Sequence, residues 1–355
     1  MSDKKLSRYI ALSKRDLFAC SYDIAKKMRI SEAELAHCRV GYDTCRLTPD
    51  IPAIFRLLAT AGDLAGVTEN DNAMQEHYGT YANVEFGEHA SLLLNPYGLD
   101  LRFFLSQWHS AFVLAENTLN GLQHSLQFFD RHGYAVHKIY TTRNTDMTVW
   151  KQLTAQFATH DNPRVTPRPV VIPASVPLTP EQQTEFTRNW QQMTDVHQFF
   201  TLLKKFNISR LQAFHYVDNT LAQRVDNGAL LRLLTLCEKD KNDIMIFVAN
   251  RGCVQIFTGA ITRLERVVSS DSGKYYIHIS NELFYFRIVE SNIAECWITR
   301  KPTKDGIVTS IELFDKNGQA IAQLFGQRTE GEPEQTVWRR QIDTLLSDNI
   351  DKAVA

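Results

Sequence analysis

The chain has 355 residues, 44% of them hydrophobic and 22% charged, with a net charge of −1 at pH 7. That length accommodates two domains with sizeable cores. A near-zero charge gives no bulk field for nucleic acid or an anionic membrane surface, so neither is expected as a partner.

The first residues, MSDKKLSRYIALSKRD, carry charges and no apolar run, which predicts no signal peptide. No apolar run downstream is long enough to span a bilayer, so no membrane insertion is expected. Six cysteines, at 20, 38, 45, 237, 253 and 296, show no CxxC or CxxCH spacing. This argues against structural zinc and covalent haem, and fits reduced thiols in the cytoplasm.

In chain order, KKMRISEAELAH (26–37) predicts a helix capped by Ser31 with Glu34 three residues on, and IPAIFRLL (51–58) predicts another. The stretch around the first of these, IAKKMRISEAELAHCRVG (24–41), reads like a helix-turn-helix, but Glu32 and Glu34 on its presumed second helix and the lack of net basic charge oppose DNA binding. His77 lies in a strand, EHYGTY, where it is expected to face solvent or a neighbouring side chain. Residues 121–140, GLQHSLQFFDRHGYAVHKIY, predict two strands around a D-x-x-G turn. Residues 161–180 hold six of the eleven prolines and read as a linker or surface strap.

Beyond this strap the pattern recurs. KKFNISRLQAFH (204–215) matches 26–37, NGALLRLL (227–234) matches 51–58, residues 286–298 match 101–113, and GIVTSIELFDKNGQAIAQLF (306–325) matches 121–140. Runs such as YYIHIS, LFYFRIV and AECWITR are strand-like, and a closing helix is expected over 334–346. The fold class is therefore α+β by tandem duplication, each half a large antiparallel sheet with helices beside it. The expected organisation is a first repeat over 1–160, the linker over 161–180 and a second repeat over 181–355.

The second repeat opens with Thr179-Pro180-Glu181-Gln182, a capping box with proline at the first helical position. A helix is predicted from there to about Phe206, its apolar stripe formed by Phe186, Trp190, Met193, Val196, Phe200 and Leu203. His197 falls on this stripe. It can be a core histidine satisfied by a carbonyl, or an axial ligand to haem iron projecting into an apolar slot. A second helix is capped by Ser209, with Arg210 in its first turn. Each basic residue nearby, Lys301 and Arg328 included, reads by itself as a solvated surface charge. No HExxH, P-loop, GxSxG or paired-carboxylate motif is present, so hydrolase and kinase chemistry have no support.

The stretches DVHQFFTLLKKFNISRLQAF, CWITRKPTKDGIVTSIELFD and QLFGQRTEGEPEQ resemble the HemS/ChuS/HmuS family of haemin-degrading and haem-trafficking proteins. The resemblance spans essentially the whole chain, duplication included. It implies non-covalent haem in the second half, with His197 as axial iron ligand and Arg210, Lys301, Gln323 and Arg328 as polar contacts around the pocket. A propionate would suit Arg210, as an arginine fork at a helix start. From the first half, Arg102 matches a distal arginine with a catalytic role and Phe104 an aromatic lining the distal side. Phe325 stands where some members carry tyrosine, so that hydroxyl's hydrogen bond is lost while stacking on the porphyrin is kept.

His77 is a weaker candidate for a secondary haem site. Ala19 occupies the first-half position matching His197, so that half cannot bind haem in the same way. The implied function is haem binding in bacterial haem and iron uptake, with oxidative degradation fed by an external electron donor. The alternative is a carrier that takes haem from a transporter and hands it to a haem-accepting protein.

Overall fold

The structure, a computed structural model, describes residues 2–15, 21–119, 121–171, 176–329 and 331–354; Ala19 lies outside them. The strands form two antiparallel sheets of nine. One runs in the order Thr44–Leu47, Ser110–Thr118, Gly121–Phe129, Ala135–Thr145, Gly62–Glu69, Ala73–Gly79, Phe284–Ile288, Tyr275–Ser280 and Arg263–Val268. The other runs Ala222–Val225, Glu295–Thr303, Gly306–Phe314, Ala320–Gly326, Ile244–Ala249, Cys253–Gly259, Asp100–Phe103, Ser91–Leu93 and Val84–Glu85. The α+β duplication is therefore as the sequence predicts. Among the described residues, no helix is long and apolar enough to cross a membrane.

The chain separates into two compact units. The first comprises Met1–Glu69, Gln75–Val171 and Ala249–Gln255; the second comprises Asn70–Met74, Ile172–Val248 and Ile256–Ala355. Each unit thus includes a hairpin tip from the other half of the sequence. These tips are built alike. Asn70 Oδ1 accepts the amides of Asn72 and Ala73, and its Nδ2 donates to the Ile321 carbonyl at 2.9 Å. Asn250 Oδ1 accepts the amides of Gly252 and Cys253, and its Nδ2 donates to the carbonyl of Val136, the repeat-equivalent of Ile321, at 2.9 Å. Asparagine suits both places because its short amide folds back onto the turn and still has donors to spare.

In the first unit, helices Ile51–Leu58 and Met147–Phe157 bury Phe55, Leu58, Trp150 and Leu153 against Leu64, Leu126 and Ile139 of the sheet. Helix Glu32–Cys38 covers the opposite face through Ala33 and Ala36, which pack on Phe112 and Phe129. Its Ser31 capping box forms as the sequence signals, and Glu32 is buried and ion-paired to Lys138 at 2.8 Å. The helix is a packing element rather than a free reading head. Both D-x-x-G turns form with glycine at positive φ, Gly133 at 84° and Gly318 at 74°. Residues 160–171 follow as irregular chain, tied to the first unit by Arg168 N–H donating to the Arg131 carbonyl.

Of the two environments expected for His77, solvent is ruled out. Its strand turns it inward, where it is 1% exposed, and burial lowers its pKa to about 4. His137 is also buried, its Nε2 2.6 Å from the Tyr81 hydroxyl and its Nδ1 2.9 Å from Thr68 Oγ1, with a pKa lowered by burial to about 3. Both imidazoles stay neutral in the fold and take up protons on unfolding. Stability therefore falls as pH drops below about 6.5, by roughly 1.4 kcal/mol per pH unit for each histidine until its folded pKa is reached. Urea midpoints at pH 7, 6 and 5 check this, and a flat profile would contradict it.

Candidate functional site

In the second unit, helices Ala229–Asp240 and Thr336–Val354 pack Leu230, Leu233, Leu234, Trp338 and Ile342 on one face of the sheet. The closing helix starts two residues later than predicted, because Glu334 is drawn in to accept the Thr309 amide. Since strand side chains alternate, Thr299, Lys301, Ser310, Glu312, Gln323 and Phe325 occupy the opposite face. Helices Pro180–Gln191, Gln198–Phe206 and Arg210–His215 lie over one end of that face, closing Trp190, Phe199 and Phe214 on Trp297 and Phe314.

The first two of these helices were expected to be one. The capping box at Thr179 forms, but the helix stops at Gln191. Gln198 Oε1 accepts the amides of Thr194 at 2.8 Å and Asp195 at 3.3 Å, while Asp195 Oδ1 accepts the His197 amide at 2.7 Å. These side-chain bonds satisfy donors that would otherwise continue the helix, so the chain breaks and restarts at Gln198. Lys304 N–H, donating to the Thr194 carbonyl at 2.9 Å, pins the break to the tip of the hairpin formed by Glu295–Thr303 and Gly306–Phe314.

The break removes His197 from the buried stripe. Its side chain is 91% exposed at the N-cap of the second helix, and Phe200, one turn on, is 74% exposed, whereas Phe199 is buried in its place. The core-histidine reading therefore fails: this imidazole is on offer. Its Nδ1 lies 2.7 Å from Asp195 Oδ1, which leaves Nε2 facing outward. The Asp195 carboxyl is held below its ordinary pKa, chiefly by the His197 amide, then by the His197 ring and the Arg328 charge. Arg328 also pairs with Asp305 at 3.8 Å, so it belongs to the same corner as His197.

Below the helices lies a buried ionic network centred on Glu312, a residue sequence reasoning missed. Glu312 is 0% exposed and accepts from Lys301 Nζ at 2.7 Å, Ser310 Oγ at 3.0 Å and two nitrogens of Arg210. Arg210 Nη2 also donates to Gln323 Oε1 at 3.3 Å, and its guanidinium lies 5.2 Å from the Phe199 ring centre. Burial alone would raise the Glu312 pKa, but Arg210 and Lys301 outweigh it and hold the carboxyl well below the usual range. Burial, reinforced by Arg210, lowers Lys301 to about 8 despite the pull of Glu312. Two cations face one carboxylate, so the network carries an excess of positive charge.

Lys301 corrects the sequence reading. At 2% exposure its ammonium is enclosed by Thr299, Glu312 and the rings of Phe199 and Phe214, and presents nothing at a rim. Arg210 keeps 18% of its side chain exposed and remains the member an anion could reach. Its helix is only six residues long, and Ser209 already occupies the N3 amide, so the guanidinium supplies the charge. Phe325 meets Phe247 edge to face at 5.1 Å on the same sheet face. In the first unit, Arg102 on strand Asp100–Phe103 is ion-paired to Asp100, and Phe104, just past that strand, donates its amide to the Gly252 carbonyl at 2.9 Å.

The haemin-degrading HemS.ChuX domain model matches residues 29–157 and 207–345. The hemin transport protein HmuS of Yersinia pestis is 50% identical over 328 residues, covering 92% of this chain and 93% of that protein. A heme degrading enzyme, ChuS, from Escherichia coli O157:H7 is 44% identical with a TM-score of 0.90, covering 97% of this chain and 99% of that one. Holo-PhuS, a heme-binding protein from Pseudomonas aeruginosa, is 33% identical with a TM-score of 0.90 over 97% and 99% of the two chains.

Proposed function

Because the chain belongs to the haemin-degrading HemS.ChuX family, we propose that it binds haem non-covalently through its second unit and degrades it oxidatively to release iron. The observation that carries this reading is the exposed His197 imidazole, its Nδ1 anchored by Asp195 and its Nε2 open. A neutral imidazole so oriented is a ready ligand for iron.

The surroundings fit the rest of a haem. Exposed Phe200 and partly exposed Phe325 offer apolar surface to a porphyrin, and the positive excess around Arg210 suits its carboxylates. Arg328, beside Asp195, is a second cation for the polar edge. Gln323 orients Arg210, and Lys301 holds Glu312 in place, so both act from beneath. Arg102 and Phe104 take the distal role on the strength of the family resemblance. His77, buried in its strand, would need local opening before it could serve a secondary site. Electrons come from an external donor, and haem arrives from a transporter of the uptake system.

Haem-loaded protein given a reductant in air, with catalase present, tests degradation. We expect the Soret band to decay while a ferrous chelator reports iron. A Soret band that survives catalase-protected reduction would instead identify a carrier delivering haem to an acceptor protein.

A further inference from the structure

We propose that Asp195 is a positioning residue for the axial histidine, fixing the His197 ring and strengthening it as an electron donor to iron; this rests on the haem-binding reading above. The geometry is specific. One oxygen, Asp195 Oδ1, accepts both the backbone amide and the ring Nδ1–H of His197, each at 2.7 Å. The first bond fixes the backbone from which the ring projects, and the second fixes ring rotation and tautomer. Asp195 is fixed in turn, because its own amide and that of Thr194 are gathered by Gln198, and the Thr194 carbonyl by the Lys304 amide. The chain break between the two helices therefore assembles a carboxylate–imidazole pair before any ligand arrives.

Such an arrangement has two chemical consequences. With Nδ1 carrying the proton, only Nε2 is left to meet a metal, so the ligating nitrogen is selected in advance. A carboxylate accepting that proton also pushes electron density into the ring, making imidazole a stronger donor and favouring the ferric over the ferrous state. Arg328 and its partner Asp305 sit at the same corner, so the carboxylate's field is balanced by a nearby cation.

The Asp195→Asn variant keeps an oxygen acceptor for the amide and removes the charge. Both residues of the pair are at the surface, so the fold should persist, which circular dichroism checks. Titrated with haemin, the variant should bind the ferric form about tenfold more weakly relative to the ferrous form than the parent does. For a one-electron couple this corresponds to a rise of about 59 mV in midpoint potential. The iron–histidine stretching band of the reduced protein should move to lower wavenumber. Asp195→Glu should recover part of both shifts. An unchanged potential and stretching band in Asp195→Asn, while His197→Ala still alters the Soret spectrum, would overturn the positioning role and leave haem binding standing. If His197→Ala itself leaves the spectrum unchanged, both readings fall.

Discussion

Replacing His197 by alanine is expected to weaken haemin binding by at least about 100-fold, the upper end of what loss of a mere outer-shell partner costs at a metal site. The bound remainder should show a different Soret maximum, since the iron must then take water or another side chain. The expectation follows from exposure: the side chain makes one contact with Asp195 and otherwise faces solvent, so its removal disturbs no core. Unfolding by urea should accordingly move little, within about 0.5 kcal/mol. Spectral titration of the variant decides the matter, and an unchanged affinity and spectrum would remove His197 from the site.

Glu312→Ala is expected to act oppositely, on stability first. It strips the only carboxylate in the described network from Arg210 and Lys301, leaving cationic partners buried without their counter-charge. Loss of one partner from a buried ion pair costs about 3–5 kcal/mol. The contribution has a defined pH window. Because Glu312 has its pKa depressed in the fold, its stabilisation is present above its ordinary value of 4.5 and is lost as the pH falls below it. Haemin affinity should drop as well, since Arg210 loses the anchor that aims it. A variant as stable as the parent in urea at pH 7 would show that the network is not structural.

Local signals were legible wherever the chain's own bonding decides the outcome. The capping boxes at Ser31, Thr179 and Ser209 and the turns at Gly133 and Gly318 form where the sequence places them, because each is closed by residues within four positions. The break at 192–197 was also local, yet apolar spacing concealed it. Asp195 followed by Gln198 three residues on is itself a restart signal, outvoted by the stripe of Phe186, Trp190 and Met193.

Burial was harder to read. Lys301 and Glu312 look like ordinary strand charges until the register sets Lys301 four pairs along from the pairing that opposes Trp297 to Glu312, and so on the same sheet face. His77 illustrates the converse, since alternation within one strand does not say which face is covered. The repeat did contain a clue to the network. The copy-one counterparts of Arg210 and Gln323 are Glu32 and Lys138, which form an ion pair where copy two has a hydrogen bond, with an acid at the helix start in place of the arginine. Both copies therefore tie the start of a short helix to the sheet, and only the second does so with positive charge in excess.

The borrowed hairpin tips constrain how this chain can be divided. Asn70–Met74 completes one unit and Ala249–Gln255 the other, so each unit is assembled from sequence on both sides of the proline-rich stretch. A protease cutting within residues 160–171 would not release two fragments that each hold the whole sequence of one unit. Each would lack the turn that donates to its Ile321 or Val136 carbonyl. During synthesis the first repeat must likewise wait for residue 255 before its last turn is in place.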